Sequence, residues 1–128
     1  MLRRLLAPLA AAVLLLGLTS CATAQASTGD GTPAVAIDEG TILIDVRTPA
    51  EYAAGHLKGA VLLDLNGGEF AKALPSFDLD ADYLVYCRSG NRSGQAVAMM
   101  EQARIGSVTN LGSIEDAAAA TGLAIVTR

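Results

Sequence analysis

The chain has 128 residues, a net charge of −4 and two cysteines, and 52% of its residues are hydrophobic. That length suits one small domain and no more. The acidic balance argues against nucleic acid or anionic lipid as a partner.

Arg3 and Arg4 precede an uncharged run from Leu5 to Leu18, the layout of a secretory leader. As a helix the run spans about 21 Å, short of the ~30 Å hydrocarbon core, so a permanent single-span anchor is the weaker reading. Leu18-Thr19-Ser20-Cys21 resembles the bacterial lipobox, in which a cysteine after small residues takes a diacylglyceryl group before cleavage. The alternative is an ordinary signal peptide cut at Ala22-Thr23-Ala24, with Cys21 discarded. Cleavage before Cys21 removes residues 1–20 as a lipoprotein signal peptide and leaves 108 residues with a net charge of −6. Residues 21–33 then comprise the lipidated cysteine and a tether. Ala22 to Thr32 is small, polar and aperiodic, and a flexible segment of that length reaches roughly 18 Å on average. Residues 34–128 form the folded domain. The expected location is a bacterial membrane, with the domain on the periplasmic or outer side.

Ile42-Leu43-Ile44-Asp45-Val46 reads as a short buried strand. Thr48-Pro49-Ala50-Glu51 then gives a capping box with proline at the first helical position, and the helix ends near Gly55. Ala60 to Leu63 is a second strand, and Glu69 to Leu74 a short helix stopped at Pro75. Asp78, Asp80 and Asp82 open like a calcium loop, but Tyr83 and Ser89 stand where glycine and glutamate are required, so the segment reads as a solvated acidic turn. Tyr83 to Tyr86 is the third strand. Ser93 to Arg104 follows helical spacing with Val97 and Met100 on the inner face and Gly106 as the stop. Ser107 to Leu111 is a further strand, and Ser113 caps an alanine-rich helix ended by Gly122. Strand, loop and helix repeated in this way predict an open α/β parallel sheet, in which ligands bind beyond the carboxyl ends of the strands.

Cys87 falls at such an end. With Cys21 lipidated it is the single thiol of an exported domain, and an unpaired cysteine in a disulfide-favouring compartment invites a reactive role. A Cys21–Cys87 disulfide is the alternative if lipidation fails. A cysteine at a strand end is most often a small buried hydrophobe. Here Cys87-Arg88-Ser89-Gly90-Asn91-Arg92-Ser93 combines a glycine turn, a helix start and two arginines in an acidic protein. Backbone N–H groups can converge on the sulfur, and the positive charges favour the thiolate. This is a nucleophile in an anion cradle, suited to phosphoryl or sulfur transfer. Cysteine phosphatases place five residues between cysteine and arginine, whereas Cys87 and Arg92 enclose four. The smaller ring suits one sulfur atom better than a phosphate.

At 45–60, D-V-R-T-P-A-E-Y-A-A-G-H-L-K-G-A, and at 87–94, C-R-S-G-N-R-S-G, the chain resembles the rhodanese (thiosulfate sulfurtransferase) family, and within it the small secreted single-domain members of the phage-shock type. The resemblance runs from about Ile42 to Leu123. It implies a rhodanese-like sheet of about five parallel strands with short helices on both faces. It further implies a Cys87 persulfide within a loop from Cys87 to Arg92 that Ser93 closes, and neither a cofactor nor a metal. Arg88 and Arg92 would attract thiosulfate and steady the departing sulfite, while the N–H groups of Ser89, Gly90 and Asn91 hold the persulfide. The implied partners are thiosulfate or another sulfane-sulfur donor, a thiol or cyanide acceptor, and a membrane through the lipid anchor. The domain is read as monomeric. The chain departs from longer members in having no tryptophan, and its short segment before Ile42 leaves the first strand and helix of the fold in question.

Asp45, Arg47 and Glu51 read as one ion-pair network that fixes the turn rather than as catalysts. His56, the only histidine, reads as a turn residue, since an ionised thiol needs no base. Met99 and Met100 read as helix filler. Three other functions compete with sulfur transfer: a persulfide carrier with little turnover, a cysteine phosphatase or arsenate reductase on the related fold, and a thiol–disulfide enzyme. The last lacks a nearby resolving cysteine.

Overall fold

The computed structural model describes residues 34–128, so the segments read from the sequence as leader and tether, and Cys21 with them, lie outside the described residues. In chain order the elements are β1 (Ile42–Asp45), α1 (Pro49–Ala54), β2 (His56–Leu57), β3 (Val61–Leu62), α2 (Glu69–Ala73), β4 (Asp82–Cys87), α3 (Asn91–Gln102), β5 (Ser107–Ser113), α4 (Ile114–Thr121) and β6 (Ile125–Val126). Four strands form a parallel sheet in the order β3-β1-β4-β5. The open α/β sheet is as expected, with four strands among the described residues where the family resemblance implies about five. Residues 34–41 form no strand, and Val35 instead donates its N–H to the Ala120 carbonyl of α4 at 2.9 Å. His56 belongs to an antiparallel pair rather than a turn: β2 meets β6, with His56 opposite Val126 and Leu57 opposite Ile125.

Side chains alternate across a strand, and this sorts the core into two layers. Ile44, Tyr83, Val85 and Cys87 point to one face, against Phe70 of α2 and Ala96 and Met100 of α3. Leu43, Leu84 and Tyr86 point to the other, against Leu57 and against Ile114 and Ala117 of α4. Helices therefore cover both faces. Cys87 is the last rung of a buried stripe, sealed on the α3 side.

Local chemistry starts and stops these helices. The Thr48 hydroxyl accepts the Glu51 N–H, and the Glu51 carboxylate accepts the Thr48 N–H, with Pro49 at the first position. Ser113 and Asp116 repeat the arrangement at α4, which ends at Gly122 with φ of 70°. Helix α2 ends at Ala73, one residue earlier than expected, and Pro75 follows in a 3-10 turn, Leu74–Ser76, where its missing N–H is tolerated. At the other end of the sheet, β5 pairs with β4 through Asn110 opposite Val85 and then skips Leu111. Gly112 comes opposite Tyr86, and Ser113 opposite Cys87. The bulge bends the end of β5 toward the loop that follows Cys87.

Candidate active site

The N-termini of α1 and α4 are closed by the hydroxyls of Thr48 and Ser113, but α3 follows Gly90, which has no side chain to offer. The sulfur of Cys87 takes that place. Gly90 donates its N–H to Sγ at 3.0 Å, and the Ser93 hydroxyl lies 3.4 Å from Sγ. Such a helix start is electropositive and leaves N–H groups in need of an acceptor, so it favours an anion. Gly90 makes the turn with φ of 90°, a left-handed conformation that suits glycine. The turn has little room: a β-carbon on Gly90 would lie 3.4 Å from the α-carbon of Gly112 in the β5–α4 corner.

Cys87 is fully buried. Burial pushes its thiol up. Hydrogen bonds from the Ser93 hydroxyl and from the N–H groups of Ser93, Ser89 and Gly90 outweigh that cost and hold it below the ordinary thiol value. The sequence reading assigns the N–H groups of Ser89, Gly90 and Asn91 to a persulfide; toward the thiol sulfur itself the Ser93 N–H joins those of Ser89 and Gly90. The Asn91 side chain instead accepts from Gln95 at 2.7 Å. Ser93 Oγ also lies 3.1 Å from the Gly90 carbonyl. Its single proton can serve the carbonyl or the sulfur but not both, and a charged sulfur is the stronger acceptor.

The two arginines of the loop are held differently. Arg88 is exposed and forms no ion pair among the described residues. Arg92, at the second position of α3, donates from Nη1 and Nη2 to the two oxygens of Glu51, each at 2.8 Å. The same carboxylate accepts from the Thr48 N–H at 2.9 Å and the Thr48 hydroxyl at 3.0 Å. The hydrogen bond from Arg92, then those from Thr48, hold the Glu51 carboxyl down at about 2 despite its partial burial. It is ionised at any pH at which the thiol reacts.

This cysteine loop, on the carboxyl end of a parallel sheet, lies within a segment that matches a known family. A family model described as a rhodanese-like domain covers residues 34–120, more than half of the chain. The chain belongs to the rhodanese family. It is similar to a thiosulfate sulfurtransferase GlpE of Pseudomonas entomophila, 44% identical over 62 residues, which are 48% of this chain and 55% of that protein. The chain thus spans about half the length of that relative. Thiosulfate sulfurtransferase PspE of Escherichia coli is 35% identical over 59% of this chain and 72% of its own. Among solved structures, a rhodanese with anions from E. coli superposes with a TM-score of 0.56 at 30% identity, covering 69% of this chain and 99% of that one.

In this rhodanese domain the charged residues of the β1–α1 segment divide between two clusters. Asp45, Arg47 and Glu51 do not form one network. Arg47 bonds Asp45 through Nε and Nη2, the latter at 2.7 Å, and donates from Nη2 to the Gly55 carbonyl at 2.6 Å. Tyr86 donates its hydroxyl to Asp45 at 2.8 Å and accepts the Leu57 N–H at 3.0 Å. This cluster is buried on the face opposite the thiol, away from Glu51's contact with Arg92. The split follows from strand alternation. Asp45 and Tyr86 point away from α3, while Glu51 lies on a helix at the rim. Sequence reasoning missed Tyr86, and only its position one residue before Cys87 could have marked it. His56 stacks on Tyr52 with ring centroids 3.6 Å apart, its Nδ1 2.9 Å from the Tyr52 carbonyl. Those contacts tie the imidazole into the α1–β2 corner.

Proposed function

We propose that the protein is a sulfurtransferase that carries sulfur on Cys87. The Cys87 thiolate attacks the outer sulfur of thiosulfate, whose sulfur–sulfur bond breaks with its electron pair leaving on sulfite. The product is a Cys87 persulfide. A thiol acceptor, as its thiolate, or cyanide then attacks the outer sulfur and leaves as a persulfide or thiocyanate, returning the Cys87 thiolate. The observation that carries this reading is the sulfur seated at the start of α3, with the Gly90 N–H 3.0 Å away and the Ser93 hydroxyl beside it. Those donors favour the thiolate as nucleophile, and they favour it again as the leaving group of the second step. The names of the relatives support thiosulfate as donor. Arg88 adds a positive charge for an anionic donor, Arg92 braces the loop through its pair with Glu51, and Ser89, Gly90, Asn91 and Ser93 line the loop.

The test is a half-reaction. Thiosulfate added to the reduced protein should give one extra sulfur atom by intact mass and one equivalent of sulfite, and Cys87→Ser should give neither. Cyanide or a thiol should then remove the added mass over repeated cycles. Loading without turnover would leave a persulfide carrier. No loading from thiosulfate or from persulfide donors would sink the sulfur-transfer reading.

The second part of the proposal concerns location. Cys21 is lipidated, and the tether holds a monomeric domain at a bacterial membrane. The support is the leader and lipobox pattern of residues 1–21. Expression of the full chain with a labelled fatty acid should give a lipid-bearing mature protein. A Cys21→Ala variant should release the label, and an unlabelled wild-type chain would overturn the assignment.

A further inference from the structure

We propose that Glu51 is a positioning residue that governs the charge of the cysteine loop: it engages the guanidinium of Arg92 as a neutral pair and leaves Arg88 as the cation that meets anions. The inference rests on Cys87 being the reactive thiolate, and it assigns different work to the two arginines that the sequence treats alike. Its basis is geometric. Arg92 meets Glu51 end-on, with one N–H from each Nη to one carboxylate oxygen, both at 2.8 Å. Planar forks of this kind are what guanidinium offers to carboxylates and to tetrahedral oxyanions alike. The Glu51 carboxylate cannot easily swing away, because two Thr48 donors fix it within the capping box of α1. Helix α1 is thereby clamped to the second residue of α3, 41 positions along the chain.

Two consequences follow. The first concerns the thiol. Arg92 is close enough to Cys87 for their charges to interact, and Asp64 is a second carboxylate whose field reaches Arg92. With Glu51 in place, Cys87 experiences Arg92 as a largely cancelled charge, and its ionisation depends on the Ser93 hydroxyl and the N–H groups of Ser93, Ser89 and Gly90. The second concerns substrates. Because the Arg92 fork is occupied, the loop binds tetrahedral oxyanions weakly, and sulfite and sulfate do not linger over the thiol. Glu51 thus separates a loop built to pass sulfur from one built to trap oxyanions. Tight binding of substrate and product alike would not speed the chemical step.

The experiment is a double-mutant cycle on the full mature domain with Glu51→Gln, Arg92→Gln and the pair together. Glutamine keeps the capping box, since its side-chain oxygen can accept the Thr48 N–H. The thiolate is titrated by its ultraviolet absorbance, and sulfate binding is read as protection of Cys87 from iodoacetamide. Glu51→Gln should lower the Cys87 pKa by about half a unit, the scale of one partly screened charge. It should also tighten sulfate about fivefold, the worth of an exposed ion pair. Arg92→Gln should raise the thiol pKa, and the double variant should return it close to wild type. A purely structural clamp would instead give a raised pKa in all three variants, and that pattern would overturn the proposal. Should Glu51→Gln fail to fold, Arg88→Gln and Arg92→Gln decide the matter. Sulfate protection should fall with Arg88→Gln and stay within about twofold with Arg92→Gln, whereas the reverse order refutes the assignment. None of these readouts uses thiosulfate, so a failure to form persulfide would count against the sulfur-transfer reading alone.

Discussion

Asp45→Ala is expected to destabilise the domain by about 3–5 kcal/mol, because it leaves the Arg47 guanidinium buried with no anionic partner. Domains of this size are stable by only about 5–15 kcal/mol, so the variant should sit near the edge of folding. Asp45 is fully buried and Arg47 is 5% exposed, and their closest contact is 2.7 Å. Asp45 also accepts the Arg47 backbone N–H and the Tyr86 hydroxyl, at 3.0 and 2.8 Å. The substitution therefore strands a cation, a phenol and a backbone donor together. Urea unfolding should show a lower midpoint with an unchanged slope. Replacing Asp45 by leucine and Arg47 by methionine together should recover most of the loss, since no buried charge remains. A cost below about 1 kcal/mol would mean that water reaches Arg47 as it reaches a surface pair. Where Asp45→Ala does remain folded, the Cys87 thiol should titrate as in wild type, because the cluster occupies the opposite face of the sheet.

The sequence disclosed most where its signals were local. Thr48-Pro49-Ala50-Glu51 and the Ser113–Gly122 helix carry their caps within a few residues, and both helices start and stop as read. Helix α3 begins at Asn91 rather than Ser93, because the left-handed Gly90 ends the turn at once. Strands β1 and β4 were legible as apolar runs, whereas β5 has only Val108 and Leu111 as apolar side chains and runs on past Leu111 to Ser113. The β2–β6 pair was not legible, since two residues have no period and the pairing joins segments almost seventy residues apart. The same limit applies to the site. Cys87 and its loop could be read from one heptapeptide, because the donors that surround the sulfur follow it directly in sequence. The partners of Asp45 and Glu51 could not. Both carboxylates lie close to Arg47 in the chain, and only the alternation of β1 and the rim position of α1 send one to Tyr86 and the other to Arg92. Charge complementarity in the sequence named the participants, and the fold chose the pairs.

Gly90→Val should lower sulfur transfer by about 100-fold while leaving a folded protein, the cost of displacing one preorganised donor from a reacting centre. Two constraints meet at this residue. Its φ of 90° is a region that costs an L side chain roughly 1–2 kcal/mol, and more for a β-branched one. Its would-be β-carbon faces the Gly112 α-carbon at 3.4 Å, so further methyl groups would press on the β5–α4 corner. The chain can relieve both only by rotating the turn, and that carries the Gly90 N–H away from the sulfur it now meets at 3.0 Å. Burial of Cys87 would remain while one of the bonds that oppose it is lost, so the thiol pKa should rise. The rate loss should then be partly recovered at high pH, as more of the thiol ionises. That recovery distinguishes a displaced donor from a collapsed loop, which would be slow at every pH. Gly90→Ala, with less bulk at the same φ, should lie between valine and wild type. Wild-type activity in Gly90→Val would mean that the loop keeps its N–H on the sulfur by another path, and the cradle would have to be assigned to Ser89 and Ser93 alone.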